Sequence, residues 1–137
     1  VKQRVLFLCT HNSARSQMAE GLLRAMAGDR FEVASAGTEE TEVRPEALAE
    51  MQRRGVDIST HTSKTLDHFL GEQWDYVVTV CDAANEACPV FPGAKHRLHW
   101  SIPDPALVPG AGRREAFEAA ADMIEERLAA WIAGEST

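Results

Sequence analysis

An apolar run, Val5-Leu6-Phe7-Leu8, leads straight into Cys9-Thr10-His11-Asn12-Ser13-Ala14-Arg15-Ser16 and then into a helical pattern. A cysteine at a strand end, an arginine six residues later and a helix immediately after constrain this chain more than any other feature. A loop wound between strand end and helix start aims consecutive backbone N–H groups inward, and the helix's own first amides and dipole add partial positive charge. A tetrahedral oxyanion fits such a cradle, which assigns Thr10, His11, Asn12, Ser13, Ala14 and Arg15 to anion binding. Arg15 supplies a planar fork able to hold two oxygens and to oppose charge building on them. The same field acts on Cys9: a thiol that ordinarily titrates near ~8.5 drops to ~3.5–7.5 beside a cation at a helix N-terminus, so a thiolate nucleophile is expected. Ser13 or Ser16 could donate a hydroxyl hydrogen bond to that thiolate. Asn12 suits pinning the loop, because its amide satisfies backbone groups and tolerates a left-handed conformation. The bland alternative is a buried strand-end cysteine and a solvated arginine, since C-x5-R also arises by chance.

Downstream, strand and helix patterns alternate. Met18, Leu22, Leu23 and Met26 recur at spacings of three and four and form one helical face, with Gly28 as a stop signal. Phe31 to Ala36 alternates like a strand, and Pro45 opens a helix through Leu48 and Met51 that ends near Gly55. A short helix is expected over Leu66 to Leu70, and a buried strand over Tyr76 to Val80 that ends at Cys81. Between Pro89 and Gly112 lie five prolines and three glycines, so this stretch reads as loop with a short strand over His96 to Trp100. Arg113 to Ala133 closes the chain as an amphipathic helix, with Phe117, Ala120, Ala121, Ile124, Leu128, Trp131 and Ile132 along one stripe. Strands alternating with helices require right-handed crossovers. The expected fold class is α/β: a three-layer α/β/α sandwich on a central parallel sheet of about four strands, in one domain spanning residues 1–137.

Composition narrows the function. A formal charge of −7 and a pI near 5.2 count against a nucleic-acid binder, so any anion site must be local. No apolar stretch approaches the ~20 residues that span a bilayer, and the chain reads as soluble, unexported and cytoplasmic. Three cysteines, Cys9, Cys81 and Cys88, make a poor disulfide framework but suit reactive thiols in a reducing compartment.

Cys81 and Cys88 stand at C-x6-C spacing, too wide for a C-x-x-C redox turn. Cys81 ends a strand expected to run parallel to the first, and so should emerge at the same sheet edge as Cys9. Attack of Cys81 on a loaded Cys9, then of Cys88 on Cys81, would carry oxidising equivalents outward by thiolate–disulfide exchange. Two alternatives stay open: Cys81 as a small core residue with an incidental Cys88, or a zinc site of Cys81, Cys88, His96 and His99 with an unusually short H-x2-H spacing.

Taken together, the Cys9–Arg15 loop with Ser16-Gln17-Met18-Ala19-Glu20-Gly21, Ser35-Ala36-Gly37, His61-Thr62-Ser63, Val78-Thr79-Val80-Cys81, Cys88-Pro89, His99-Trp100 and Asp104-Pro105 resemble, end to end, the thioredoxin-coupled arsenate reductases built on the low-molecular-weight tyrosine phosphatase fold. The resemblance implies that Cys9 is the nucleophile, Arg15 the oxyanion clamp, Cys81 and Cys88 the relay pair, and Asp104 the acid that protonates the leaving oxygen. It implies arsenate as substrate, phosphate and sulfate as analogues, thioredoxin as reductant and no cofactor; a monomer is expected. His11 lines the pocket in this reading without a catalytic role. Loop support falls to Asn12, Ser16, Glu20, Ser35 and Lys64. Some relatives bind potassium with the first, third and fourth of these plus an acidic residue. Lys64 stands at the acidic position, and its ammonium is expected to replace the ion and pair with Glu20. The rival activity is phosphomonoester hydrolysis through a phosphocysteine. Against it stand Cys81 and Cys88, and Ala106 where phosphatases of this fold carry an aromatic after the proline. A third reading is a non-catalytic thiol or zinc sensor.

Overall fold

The computed structural model describes residues 2–9, 12, 14–37, 42–65, 67, 69, 71–80 and 94–135. Thr10, His11, Ser13, Cys81 and Cys88 lie outside the described residues, as does most of the helix expected over 66–70.

The first apolar run becomes β1 (Gln3–Cys9), in which every residue from Val5 to Cys9 is buried. Successive side chains of a strand point to opposite faces, so this unbroken burial requires cover on both sides of the sheet. Helix α1 (Arg15–Ala27) follows, then β2 (Phe31–Gly37), α2 (Pro45–Arg53), β3 (Trp74–Thr79), β4 (Ala94–His99), a short 3-10 turn (Pro105–Leu107) and α3 (Gly112–Glu135). The sheet order is β2-β1-β3-β4, with each neighbouring pair parallel. The expected α/β architecture with a four-stranded parallel sheet is therefore what the chain adopts.

Local signals account for most boundaries. Pro45 sits in the first turn of α2, where its missing N–H costs nothing. Gly55, at φ 77°, turns the chain after α2 in a conformation that penalises side chains. The strands β3 and β4 each begin two residues before, and end one residue before, the expected Tyr76–Val80 and His96–Trp100. The pairing continues past both ends, however: Val80 N–H donates to Leu8 O at 2.9 Å, Trp100 N–H to Thr79 O at 2.8 Å and Ile102 N–H to Val80 O at 3.3 Å.

Five of the seven stripe residues on α3, from Phe117 to Leu128, are buried. Trp131, half-buried, reaches Phe31 and Tyr76 with ring centroids 5.0 Å away. Met26 departs from expectation. It shares a face with Met18 and Leu22 but is 40% exposed, because it lies in the last turn of α1, at the end of the molecule where the first residues of β1 are also only partly covered.

Close packing of α1 depends on Gly21. A Cβ placed there would meet Ile58 Cγ2 at 2.6 Å and Val56 Cγ1 at 3.2 Å, and Ile58 is itself 1% exposed and branched, with little room to move. Gly21→Val is expected to destabilise the protein by about 2–3 kcal/mol through overpacking, seen as a lower urea midpoint at unchanged m-value.

Candidate active site

Parallel strands deliver their carboxyl ends to one edge, and the site is assembled there. Cys9, 3% exposed, ends β1 opposite Gly37 of β2. Six residues later Arg15 opens α1. The residue capping α1 is Ala14, which has no side-chain oxygen to give, so the helix's first amides receive no side-chain cap from it and stay suited to an anion.

Arg15 is held by the chain that follows β4. Its Nη1 donates to Ile102 O at 2.8 Å, and its Nη2 lies 3.5 Å from Asp104 Oδ2. The segment that continues β4 past Trp100 thus brings Asp104, 89 positions away in sequence, to the base of the loop. Arg15 Nε is buried with no hydrogen-bond partner among the described residues. A buried N–H left unpaired costs about 1–3 kcal/mol, and an oxyanion would remove that penalty.

Asn12 explains how the loop keeps its shape. Its φ of 50° places it in the left-handed region, which asparagine tolerates better than most residues. It is wholly buried, and its amide is saturated. Nδ2 donates to Ser16 Oγ at 2.8 Å and Ser35 Oγ at 3.0 Å, while Oδ1 accepts from Gln17 Nε2 at 3.0 Å and from the Lys64 backbone N–H at 2.8 Å. The Ser35 hydroxyl in turn donates a hydrogen bond to Glu20 Oε1 at 2.6 Å. Ser16 accepts from Asn12 and retains a hydroxyl proton to donate.

Lys64 does not do what its charge suggests. Its Nζ turns back to Thr62 O at 2.9 Å, and the partner of Glu20 Oε2 is Arg24 Nη2 at 2.8 Å, one helical turn along α1. The expected Lys64–Glu20 pair is replaced by an i,i+4 pair that needs no reach across the loop. Lys64 supports the loop through its backbone instead, donating N–H to Asn12 and accepting from Gly37 N–H at 2.8 Å.

The family model of the low-molecular-weight phosphotyrosine protein phosphatases matches residues 4–136. An arsenate reductase of Halalkalibacterium halodurans is 43% identical over 129 residues, 93% of this chain and 93% of that one. The chain belongs to the arsenate reductases of this phosphatase family. Among solved structures, an arsenate reductase in its phosphate-binding state superposes with a TM-score of 0.84 at 32% identity, over 96% of this chain and 98% of that one. A thioredoxin-dependent arsenate reductase of Corynebacterium glutamicum superposes with a TM-score of 0.72 at 35% identity, over 94% of this chain and 61% of the other.

Three residues of this reductase to which sequence alone gives no role, Gln17, His61 and Arg24, belong to the loop's support. Gln17, fully buried, donates through Nε2 to Asn12 O at 3.1 Å and Thr62 O at 3.0 Å, and its Oε1 stands 3.0 Å from His61 Nδ1. Since Gln17 Oε1 can only accept, His61 carries its proton on Nδ1 and presents the lone pair of Nε2 to Arg24 Nη1, 2.9 Å away. The signals were present: Gln17 and His61 lie inside the sequence motifs of the family, and Glu20–Arg24 has ion-pair spacing on a helix. Among the described residues no group of three or more His, Cys, Asp or Glu could hold a metal ion, and no helix is long and apolar enough to cross a membrane. His99 Nδ1 lies 2.6 Å from Thr79 Oγ1, and His96 stacks on Tyr76 at 5.2 Å.

Burial pushes the His61 imidazole below its ordinary range; Glu20 opposes this, and Arg24 and Lys64 reinforce it. The unfolded chain therefore takes up the proton first as pH falls. The stability that depends on neutral His61 is present above the ordinary histidine value and is lost as pH drops through it towards the lower folded value. The urea midpoint of the reductase is expected to fall between about pH 7.5 and about pH 5.5, and less so in His61→Gln. Equal slopes in the two proteins would contradict this.

Proposed function

We propose that the enzyme reduces arsenate to arsenite by a three-cysteine relay recycled by thioredoxin. The observation that carries the oxyanion reading is the buried Arg15 guanidinium at the foot of the loop, fixed by Ile102 O, flanked by Asp104 and left with an unpartnered Nε among the described residues.

In the first step the Cys9 thiolate attacks arsenic, and an arsenate oxygen leaves as water after taking a proton from Asp104. A Cys9–arsenate thioester remains. Arg15 and the amides of residues 10–15 oppose the charge on its oxygens, the form of catalysis in which preorganised donors contribute most. Next the Cys81 thiolate attacks Cys9 Sγ. The sulfur–arsenic bond breaks with its electron pair on arsenic, which passes from As(V) to As(III) and leaves as arsenite, while a Cys9–Cys81 disulfide forms. The Cys88 thiolate then attacks Cys81 Sγ, releasing Cys9 and forming Cys81–Cys88. A dithiol reductant of the thioredoxin class returns this pair to thiols. The reaction requires a compartment that keeps thiols reduced, as the cytoplasm does.

Support for the meeting of Cys9 and Cys81 comes from Val80, whose N–H bonds to Leu8 O at 2.9 Å, so that the residues preceding both cysteines are hydrogen-bonded neighbours. The test is a thioredoxin-coupled NADPH assay with arsenate on the wild type and on Cys9→Ser, Cys81→Ser and Cys88→Ser. Each substitution is expected to abolish multiple turnover. Undiminished turnover in either distal variant would reject the relay, and hydrolysis of a phosphomonoester at a rate exceeding arsenate reduction would favour the phosphatase reading.

A further inference from the structure

We infer that Arg24, outside the loop and not in contact with it, is a positioning residue for oxyanion binding: it holds Glu20 against Ser35, and Ser35 in turn fixes the amide of Asn12. The inference rests on the reading of residues 9–15 as the anion loop.

Glu20 is 5% exposed, and a carboxylate so deeply placed requires both a counter-charge and hydrogen bonds. Oε2 receives Arg24 Nη2 at 2.8 Å; Oε1 receives the Ser35 hydroxyl proton at 2.6 Å. A serine hydroxyl has one proton. Because Ser35 gives it to Glu20, its oxygen can only accept from Asn12, and this dictates which end of the Asn12 amide faces β2. The opposite end is then presented to the Lys64 N–H and to Gln17. The anion at Glu20, acting through Ser35, and the Lys64 N–H thus impose the same orientation on the Asn12 amide, one from each end.

Arg24 is anchored for this task. Its Nη2 also donates to Val33 O at 2.8 Å, and its Nη1 donates to His61 Nε2 at 2.9 Å. His61 continues to Gln17, and Gln17 to Asn12, so the contacts close into a ring of Arg24, Glu20, Ser35, Asn12, Gln17 and His61. A lysine at position 24 could keep the pair with Glu20 but could not reach Val33 and His61 together, since a point charge lacks the planar fork.

The experiment measures inorganic phosphate binding by calorimetry, together with the side-chain amide cross-peaks of Asn12 by NMR. Arg24→Gln is expected to weaken phosphate about tenfold and to move those cross-peaks, and Arg24→Lys to recover most of both. Glu20→Gln should weaken binding similarly, and the double variant no more than the worse single, since the two act in series. Arg4→Gln is the control. Arg4 makes comparable ion pairs with Glu32 and Glu72 near the start of β1, far from the loop, and its loss should leave affinity unchanged.

An Arg24→Gln protein that folds and binds phosphate within twofold of wild type would overturn the inference, as would additive losses in the double variant. Should Arg24→Gln not fold, Glu20→Gln decides: unshifted Asn12 cross-peaks with wild-type affinity would show that the group through which Arg24 acts does not set the loop, and would reject the role. A wild type that binds no phosphate would instead remove the anion reading of the loop, and the inference with it.

Discussion

Cys88→Ser is expected to convert one arsenate per enzyme and then stop. In the proposed relay the first two chemical steps need only Cys9 and Cys81, and the two electrons that reduce arsenic come from that pair. Without Cys88 the product disulfide has no internal thiol to displace Cys9, which stays in a strand end only 3% exposed and out of reach of an external dithiol. Thiol–disulfide exchange depends on access as well as on thiolate character, so the internal route is the fast one. Rapid-quench measurement should show a burst approaching one arsenite per chain, followed by turnover reduced by about 100-fold or more, whereas Cys9→Ser and Cys81→Ser should show no burst. Continuous turnover of Cys88→Ser at the wild-type rate would mean that the reductant reaches the first disulfide directly.

Arg15→Lys is the second large effect. Loss of one preorganised donor from an oxyanion site typically lowers the rate by about 100- to 1000-fold, and lysine would lose more than one. It cannot span Ile102 O and Asp104 together, as Nη1 and Nη2 do at 2.8 Å and 3.5 Å, and it offers nothing in place of the buried Nε. The expected result is a fall of that size in kcat/KM for arsenate, with weaker phosphate inhibition and little change in melting temperature, because the hydrogen bonds that lysine cannot make belong to the site rather than the core. A loss below about tenfold would indicate that the backbone amides carry the anion and that Arg15 mainly ties the Asp104 segment down.

Much of this was legible in sequence because the informative features are local. The strand before Cys9, the helix after Arg15 and the buried stripe of α3 each follow from periodicity over a few turns or residues, and the parallel sheet follows from their alternation. Asn12 was also legible, since few residues combine a saturating amide with tolerance of positive φ. What escaped depends on distant pieces of chain meeting at short range. The Gln17–His61 contact joins positions 44 apart, and Arg15–Ile102 joins positions 87 apart. No spacing rule encodes either.

Lys64 shows the limit of reasoning from charge alone. A cation at the right place in a motif suggested a partner for Glu20, yet the backbone pairing of residue 64 with Gly37 and Asn12 points its side chain elsewhere, and Arg24 is nearer along the helix. Met26 shows the corresponding limit for periodicity: a face continues to the last turn of a helix, but its cover need not.

The order in which the sulfurs meet can be read chemically. Cys88→Ser is treated with one equivalent of arsenate, its remaining thiols are alkylated, and its peptides are mapped by mass spectrometry without reduction. The account predicts a disulfide joining the peptide that carries Cys9 to the one that carries Cys81, in amount equal to the arsenite released. Arsenite release with both of those cysteines recovered in alkylated form would contradict it.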